Sequence, residues 1–151
     1  LTQNHHLRPE TMNNGINIKD LLPDGFRAMM DLTHAAKPKH ISHTAAQLIK
    51  IRASQINGCA FCQDMHTSSA REAGETEERI SAISGWPHSP LFSDQENMIL
   101  AMTEEITLVP KKVDPEVLRR AEKLLNEKEM AEVALTAVVI NAWNRIMILA
   151  E

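Results

Sequence analysis

Residues 43–74, HTAAQLIKIRASQINGCAFCQDMHTSSAREAG, contain two helical patterns that meet at an Asn-Gly pair. The first pattern is apolar on most sides, and Ser42 in front of it is a residue type that caps helices. Asn57-Gly58 interrupts this pattern. The second helix is predicted to begin near Cys59 and to end at Gly74, since glycine commonly ends helices. Two successive helices joined by a short turn favour a helical fold.

Helical patterns continue on both sides of this pair. Further helices are predicted over about 23–36, 76–86, 93–107, 114–126 and 130–149. Strand signals are nearly absent, because the chain has no Tyr, only 3 Phe and no sustained alternation of apolar and polar residues. The sequence therefore predicts an all-α bundle of six or seven helices in a single domain, residues 17–151, preceded by a flexible arm, residues 1–16.

Composition narrows the class of protein. Of the 151 residues, 43% are hydrophobic and 24% are charged, which suits one domain with an ordinary core. The net charge of −4 gives no general attraction to nucleic acid or anionic membrane. No apolar run is expected to reach the roughly 20 residues that span a bilayer, and the amino end does not resemble a secretory signal. We therefore expect a cytoplasmic protein. The apolar faces of residues 44–56 and 130–149 further predict a homo-oligomer.

The two cysteines of the chain, Cys59 and Cys62, stand three residues apart, and His66 follows four residues later. On one helix, side chains at these spacings share a face, with about 5 to 6 Å between Cβ atoms. A disulfide needs about 3.5 to 4.5 Å, so a small adjustment of the first turn closes the bridge. The amino end of a helix favours thiolate, and a histidine exchanges protons near neutral pH. This set favours dithiol redox chemistry.

Two other interpretations remain open. The cysteines fit an inert core, where small thiols pack well. They also fit a zinc site with His66, since two sulfurs and one nitrogen are good ligands, and His34, His40 and His43 are nearby in sequence. Zinc needs a fourth ligand or a water, however, and no second ligand pair stands at finger-like spacing.

The run QLIKIRASQINGCAFCQDMHTSSAREAGETEERI resembles the core of the alkylhydroperoxidase D / carboxymuconolactone decarboxylase-like family. The matching elements are RASQINGC, the C-x-x-C-x-x-x-H set, the DMH triplet and AR-x-AGE. INAWNR, residues 140–145, also resembles the carboxyl-terminal segment of that family. The resemblance covers most of residues 20–150.

The resemblance implies an all-helical fold that assembles as homotrimers or homohexamers and reduces hydrogen peroxide or small alkyl hydroperoxides without metal, haem or flavin. By this likeness Cys62 attacks the peroxide, Cys59 resolves the sulfenic acid as a disulfide, and His66 relays protons. The reductant is then a dithiol, such as a lipoylated protein. The decarboxylase branch of the family lacks the cysteine pair, which makes a lyase activity a poor match.

Gln47 departs from the family pattern. The family usually has a glutamate twelve residues before the first cysteine, where this chain has Gln47. An amide orients a histidine or a water by hydrogen bonding, but it cannot act as a carboxylate base. We expect slower peroxide turnover than in a Gln47→Glu variant. A redox sensor or disulfide relay with weak peroxidase activity is therefore the alternative function.

Overall fold

The structure, a computed structural model, describes residues 15–108 and 112–150. These contain α-helices and one 3-10 segment, Ile83–His88, and no strand. The α-helices are α1 (Ile18–Leu21), α2 (Pro23–Ala35), α3 (His43–Asn57), α4 (Ala60–Glu72), α5 (Glu77–Ala82), α6 (Asp94–Thr107), α7 (Pro115–Ala121) and α8 (Glu127–Ala150). The predicted all-α fold is confirmed, and all seven helices expected from the pattern are present. The additional α1 is a single turn, capped by the side chain of Asn17.

Local capping signals set most helix boundaries. The Ser42 side chain accepts from the N–H of Ala45, and Gly58 ends α3 in the left-handed region at φ 72°. Ser93 and Glu96 form the predicted capping box, in which the Ser93 hydroxyl accepts from the Glu96 N–H and the Glu96 carboxylate accepts from the Ser93 N–H.

Two predicted helices are shorter than expected. The helix predicted over 76–86 is α-helical only to Ala82 and continues as the 3-10 segment, which contains Gly85 and Pro87. The helix predicted to end near Asn126 ends at Ala121. Asn126 instead caps α8, because its side-chain oxygen accepts from the N–H groups of Lys128 and Glu129.

Helix α3 lies at the centre of the bundle and packs against α4, α6 and α8. Ile49 on one side of α3 joins Ile99 and Val133 in a buried cluster. Leu48, on another side, joins Ile83 and Leu100 in a second cluster. Burial of each such side chain contributes about 1.5 to 3 kcal/mol. The pattern of apolar residues on most sides of α3 therefore reflects contact with neighbours in several directions.

Polar contacts tie α3 to its neighbours. Arg52 forms an ion pair with Glu104 of α6 at 2.8 Å. The buried Asn144 of α8 donates to the Ser54 hydroxyl at 2.9 Å and accepts from the Asn57 side chain at 2.9 Å. Buried polar groups are costly unless paired, so these bonds favour one register of α8 on α3.

Helix α8 corrects one prediction. Its 24 residues are long and apolar enough to cross a membrane by length and composition, contrary to the expectation that no such run exists. Several of its side chains are nevertheless buried against the bundle, among them Val133, Ala137 and Ile140. A buried core helix meets the same length and composition test. The cytoplasmic location therefore stays a prediction.

The predicted flexible arm, residues 1–16, lies mostly outside the described residues. Within it, Gly15 and Ile16 are described, and the N–H of Ile16 donates to the carbonyl of Leu149 at 2.5 Å. On α8, Leu135, Val138 and Leu149 are exposed. Packing within one chain therefore buries only part of the apolar surface of α8.

Candidate functional site

The turn between α3 and α4 brings the two cysteines together. Gly58 reverses the chain in the left-handed conformation, and Cys59 follows as the N-cap of α4 with extended backbone, φ −82° and ψ 97°. The Cys59 sulfur accepts from the N–H of Cys62 at 3.3 Å, and the two residues are joined as a disulfide with 5.3 Å between Cα atoms. The expectation that all three site residues share one helical face is thus corrected. Cys59 precedes the helix, and the turn brings it to Cys62.

Cys62 is the third residue of α4 and lies in its first turn. The N–H groups of a first turn have no partners within the helix, and the helix dipole adds partial positive charge there. Negative charge that develops at Cys62 therefore lies at the positive end of the helix dipole.

A cavity of about 710 Å³ opens beside Cys62. Its walls come from α2, α3, α4 and α8, and Cys62 and His66 are both part of them, whereas Cys59 is not. Both cysteines are buried, Cys59 being 0% and Cys62 1% exposed, so they differ in their place at the cavity wall and not in exposure. Much of the wall is apolar, including Phe26, Met30, Phe61, Met65, Ile140 and Trp143. A molecule inside the cavity therefore lies beside Cys62 rather than beside Cys59.

A chain of hydrogen bonds runs from His66 through Gln47 to His43. The Nδ1 of His66 lies 3.2 Å from the Oε1 of Gln47, and the Nε2 of Gln47 lies 3.2 Å from the Nε2 of His43. Because an amide oxygen only accepts, His66 carries a proton on Nδ1. The Nε2 of a neutral His66 is then unprotonated and able to accept a proton. The amide N–H of Gln47 donates to His43, which accordingly carries its own proton on Nδ1.

Burial and a nearby cation keep His66 neutral. Burial lowers the pKa of His66, and the charge of Lys50 lowers it further, to about 4. The pKa of Lys50 is itself lowered, first by burial and then by the charge of Lys37. At neutral pH the His66 ring is therefore uncharged.

The alternative of a zinc site has no support in the part of the chain that is described. No group of three or more potential ligands is found there. His40 contacts Glu132 instead, with 2.7 Å between ring Nδ1 and carboxylate Oε1. Burial alone raises the pKa of the Glu132 carboxyl, but hydrogen bonds from the N–H groups of Lys39, Ile41 and His40 and from the His40 ring lower it to about 2.

The structure brings together the four residues predicted for the site, Cys59, Cys62, His66 and Gln47. Sequence reasoning missed two others. His43 was considered only as a zinc ligand, and Lys50 was not considered. Both lie on α3 at helical spacing from Gln47, four residues before and three residues after it, which places them on one side of that helix. That spacing was the available signal.

Comparison with known proteins is consistent with this geometry. The model of the carboxymuconolactone decarboxylase family matches residues 23–105, a range that includes all four predicted site residues. The uncharacterized protein YdfG of Bacillus subtilis is 41% identical over 138 residues, which cover 91% of this chain and 94% of that protein. The uncharacterized protein YnjA of Escherichia coli is 29% identical over 92 residues, covering 61% of this chain and 50% of that protein.

A solved structure has the same fold over most of the chain. It is ATU0492 from Agrobacterium tumefaciens, a protein of unknown function suggested to be an antioxidant defence protein AhpD. It aligns with a TM-score of 0.85 at 32% identity and covers 89% of this chain and 93% of that one.

Proposed function

Because the chain belongs to the carboxymuconolactone decarboxylase family, we propose that it is a thiol-dependent peroxidase that reduces hydrogen peroxide or small alkyl hydroperoxides. Membership of this family together with a C-x-x-C pair fits an antioxidant role. The observation that carries the finer proposal is the asymmetry of the pair. Cys62 and His66 both line the cavity, whereas Cys59, the disulfide partner of Cys62, does not.

The first step oxidises Cys62. The Cys62 thiol gives its proton to Nε2 of His66, and the thiolate attacks the terminal oxygen of the hydroperoxide. An S–O bond forms as the O–O bond breaks, and the departing alkoxide takes the proton back from His66. Thiol and hydroperoxide thus become sulfenic acid and alcohol. A base positioned in this way typically contributes about 10² to 10⁴ to a rate.

The second step forms the disulfide. The Cys59 thiol attacks the sulfur of Cys62, the S–O bond breaks, and water leaves with the thiol proton. The short turn at Gly58 supports this step, because it holds the two Cα atoms 5.3 Å apart, within the usual range for a disulfide. An external dithiol then reduces the bridge and is itself oxidised to a disulfide. We propose a lipoylated protein for that role.

Gln47 is proposed as a positioning residue. Its amide oxygen fixes the proton of His66 on Nδ1 and so presents Nε2 to the cavity. It cannot take a proton as a carboxylate would. A redox sensor or disulfide relay therefore remains the second candidate function, favoured by this amide. Such a protein forms the same bridge with peroxide but turns over poorly.

We also propose that the chain works as a homo-oligomer, a trimer or hexamer, in the cytoplasm. Exposed apolar side chains of α8, away from the cavity wall, support self-association, since Leu135 is 41% and Val138 is 51% exposed.

Intact mass measurement after peroxide treatment tests the peroxidase proposal. Reduced wild-type protein should lose about 2 Da as the bridge forms, and Cys59→Ser should instead gain about 16 Da at Cys62. Cys62→Ser should consume no peroxide, and Cys59→Ser is its matched control because it keeps the attacking sulfur. Full consumption of peroxide by Cys62→Ser would contradict the assignment. Bridge formation without catalytic consumption, with a dithiol in excess, would favour the sensor.

A further inference from the structure

Lys50 is a cation in the wall of an otherwise largely apolar cavity. It is half-buried on α3, and Lys37 lies at the exposed rim of the same cavity. Neither lysine forms an ion pair with a carboxylate in residues 15–108 or 112–150. A half-buried ammonium without a counter-ion carries part of the desolvation cost of a buried one, so an anion supplied from outside stabilises it.

The rest of the wall suits a hydrocarbon. Aromatic and aliphatic side chains from α2, α4 and α8 line it, among them Phe26, Met30, Ile140, Trp143 and Met147. The volume of about 710 Å³ is within the range of small-molecule sites and far exceeds what hydrogen peroxide needs. A largely apolar chamber with Lys50 in its wall and Lys37 at its rim is complementary to an amphipathic anion.

We propose that the cavity binds a fatty-acid-like carboxylate, with the carboxylate at Lys50 and the hydrocarbon chain against the apolar wall. The substrate class that follows is the hydroperoxide of such an acid, and this step rests on the proposed function because Cys62 and His66 line the same cavity. The binding itself does not depend on peroxide chemistry. A carboxylate at Lys50 also restores the charged form of the lysine that burial disfavours.

Lys50 has one rival role, which is to stabilise the Cys62 thiolate. The two roles separate in the oxidised protein, because a disulfide carries no thiolate. The test therefore uses the full chain in its disulfide form, with titration calorimetry of octanoate and of octanol. The two molecules have the same number of carbons and differ in head-group charge.

Wild-type protein should bind octanoate at least about tenfold more tightly than octanol, the usual effect of one charge-assisted hydrogen bond. Affinity should rise from hexanoate to octanoate to decanoate by up to about fourfold per methylene group. Lys50→Met should abolish the preference for octanoate, and Lys50→Arg should keep it and so guard against a general loss of structure. The exposed Lys128 of α8 provides the matched control, since Lys128→Met removes the same charge and should leave the preference unchanged.

Equal affinity of wild-type protein for octanoate and octanol, or no binding of either, would overturn the proposal. So would a preference for octanoate that survives in Lys50→Met. Octanoate binding that weakens as protein concentration rises would show that a second copy occupies the mouth of the cavity, and this also counts against the proposal. Failure of the proposed peroxidase function would leave all of these measurements unchanged, since they use oxidised protein and no peroxide.

Discussion

Replacing Gln47 by glutamate should accelerate peroxide consumption. The amide oxygen of Gln47 lies 3.2 Å from Nδ1 of His66, so Gln47→Glu places a negative charge at about that distance from the ring. At an effective dielectric constant of about 20, the Coulomb attraction to a protonated ring is about 5 kcal/mol as an upper bound. A carboxylate this close commonly shifts a pKa by about 1 to 3 units in favour of the charged partner.

The shift brings His66 into its working range. The pKa of His66 is about 4 in the wild-type protein, and a rise of about 2 units brings it to about 6. A proton-transfer group is most effective when its pKa lies near the pH of the reaction. If the logarithm of the rate rises by half of the change in pKa, a rise of about 2 units increases kcat/KM for peroxide by about tenfold.

The assay is steady-state peroxide consumption between pH 5 and 8 with saturating dithiol, together with NMR titration of the His66 ring. Gln47→Leu is the control, because it removes the hydrogen bond without adding a charge, and its rate should fall below that of the wild type. Equal rates for wild type and Gln47→Glu, in a protein whose His66 pKa has risen, would refute the relay role of His66.

Three further predictions concern stability. Because the pKa of His66 is lowered to about 4 in the folded chain, the stability that its neutral ring contributes is present above pH 6.5 and is lost as the pH falls towards 4. His66→Gln should remove this loss of about 3 kcal/mol in urea titrations, and parallel pH profiles of the two proteins would argue against it. Glu132→Gln should cost about 2 kcal/mol at pH 7, where the wild-type carboxylate is charged and accepts its hydrogen bonds. The cost should be much smaller near pH 2, where the carboxyl group becomes protonated in the folded protein. An equal cost at both pH values in thermal unfolding would be inconsistent with the hydrogen bonds of that carboxylate. Ile49→Ala should cost about 2 to 5 kcal/mol because Ile49 is fully buried, against less than about 0.5 kcal/mol for Leu124→Ala at an exposed position. Similar midpoints for the two variants in guanidinium would place Ile49 outside the core.

The helices were predictable where their signals are local. Ser42, Thr76 and the pair Ser93 and Glu96 cap helices through residues three positions away, so sequence alone locates those ends. The end of α7 was misplaced because Asn126, an equally good local signal, serves the following helix. A capping residue can be recognised from sequence, but whether it ends the preceding helix or begins the following one depends on which of the two segments is helical next to it.

The residues of the site were predictable from sequence, but their arrangement in space was predictable only in part. Spacing in α4 links Cys62 to His66, but the bond from His66 to Gln47 joins residues 19 apart and depends on how α4 packs on α3. The cavity also needs α2 and α8, whose placement no pattern near the cysteines encodes. Cys59 was placed on one helical face with Cys62 and His66 because of its spacing, whereas it precedes the helix and its sulfur accepts the bond that a serine oxygen commonly accepts.

In the proposed cycle, the cavity wall also determines how the oxidised protein is reduced. A reducing thiol that enters the cavity lies beside Cys62 and not beside Cys59. The mixed disulfide must then form on Cys62 and expel the sulfur of Cys59 as leaving group, and the second thiol of the reductant completes the exchange from the same side. Oxidant and reductant thus share one entrance and one atom, so each excludes the other, and a large excess of either should inhibit the cycle.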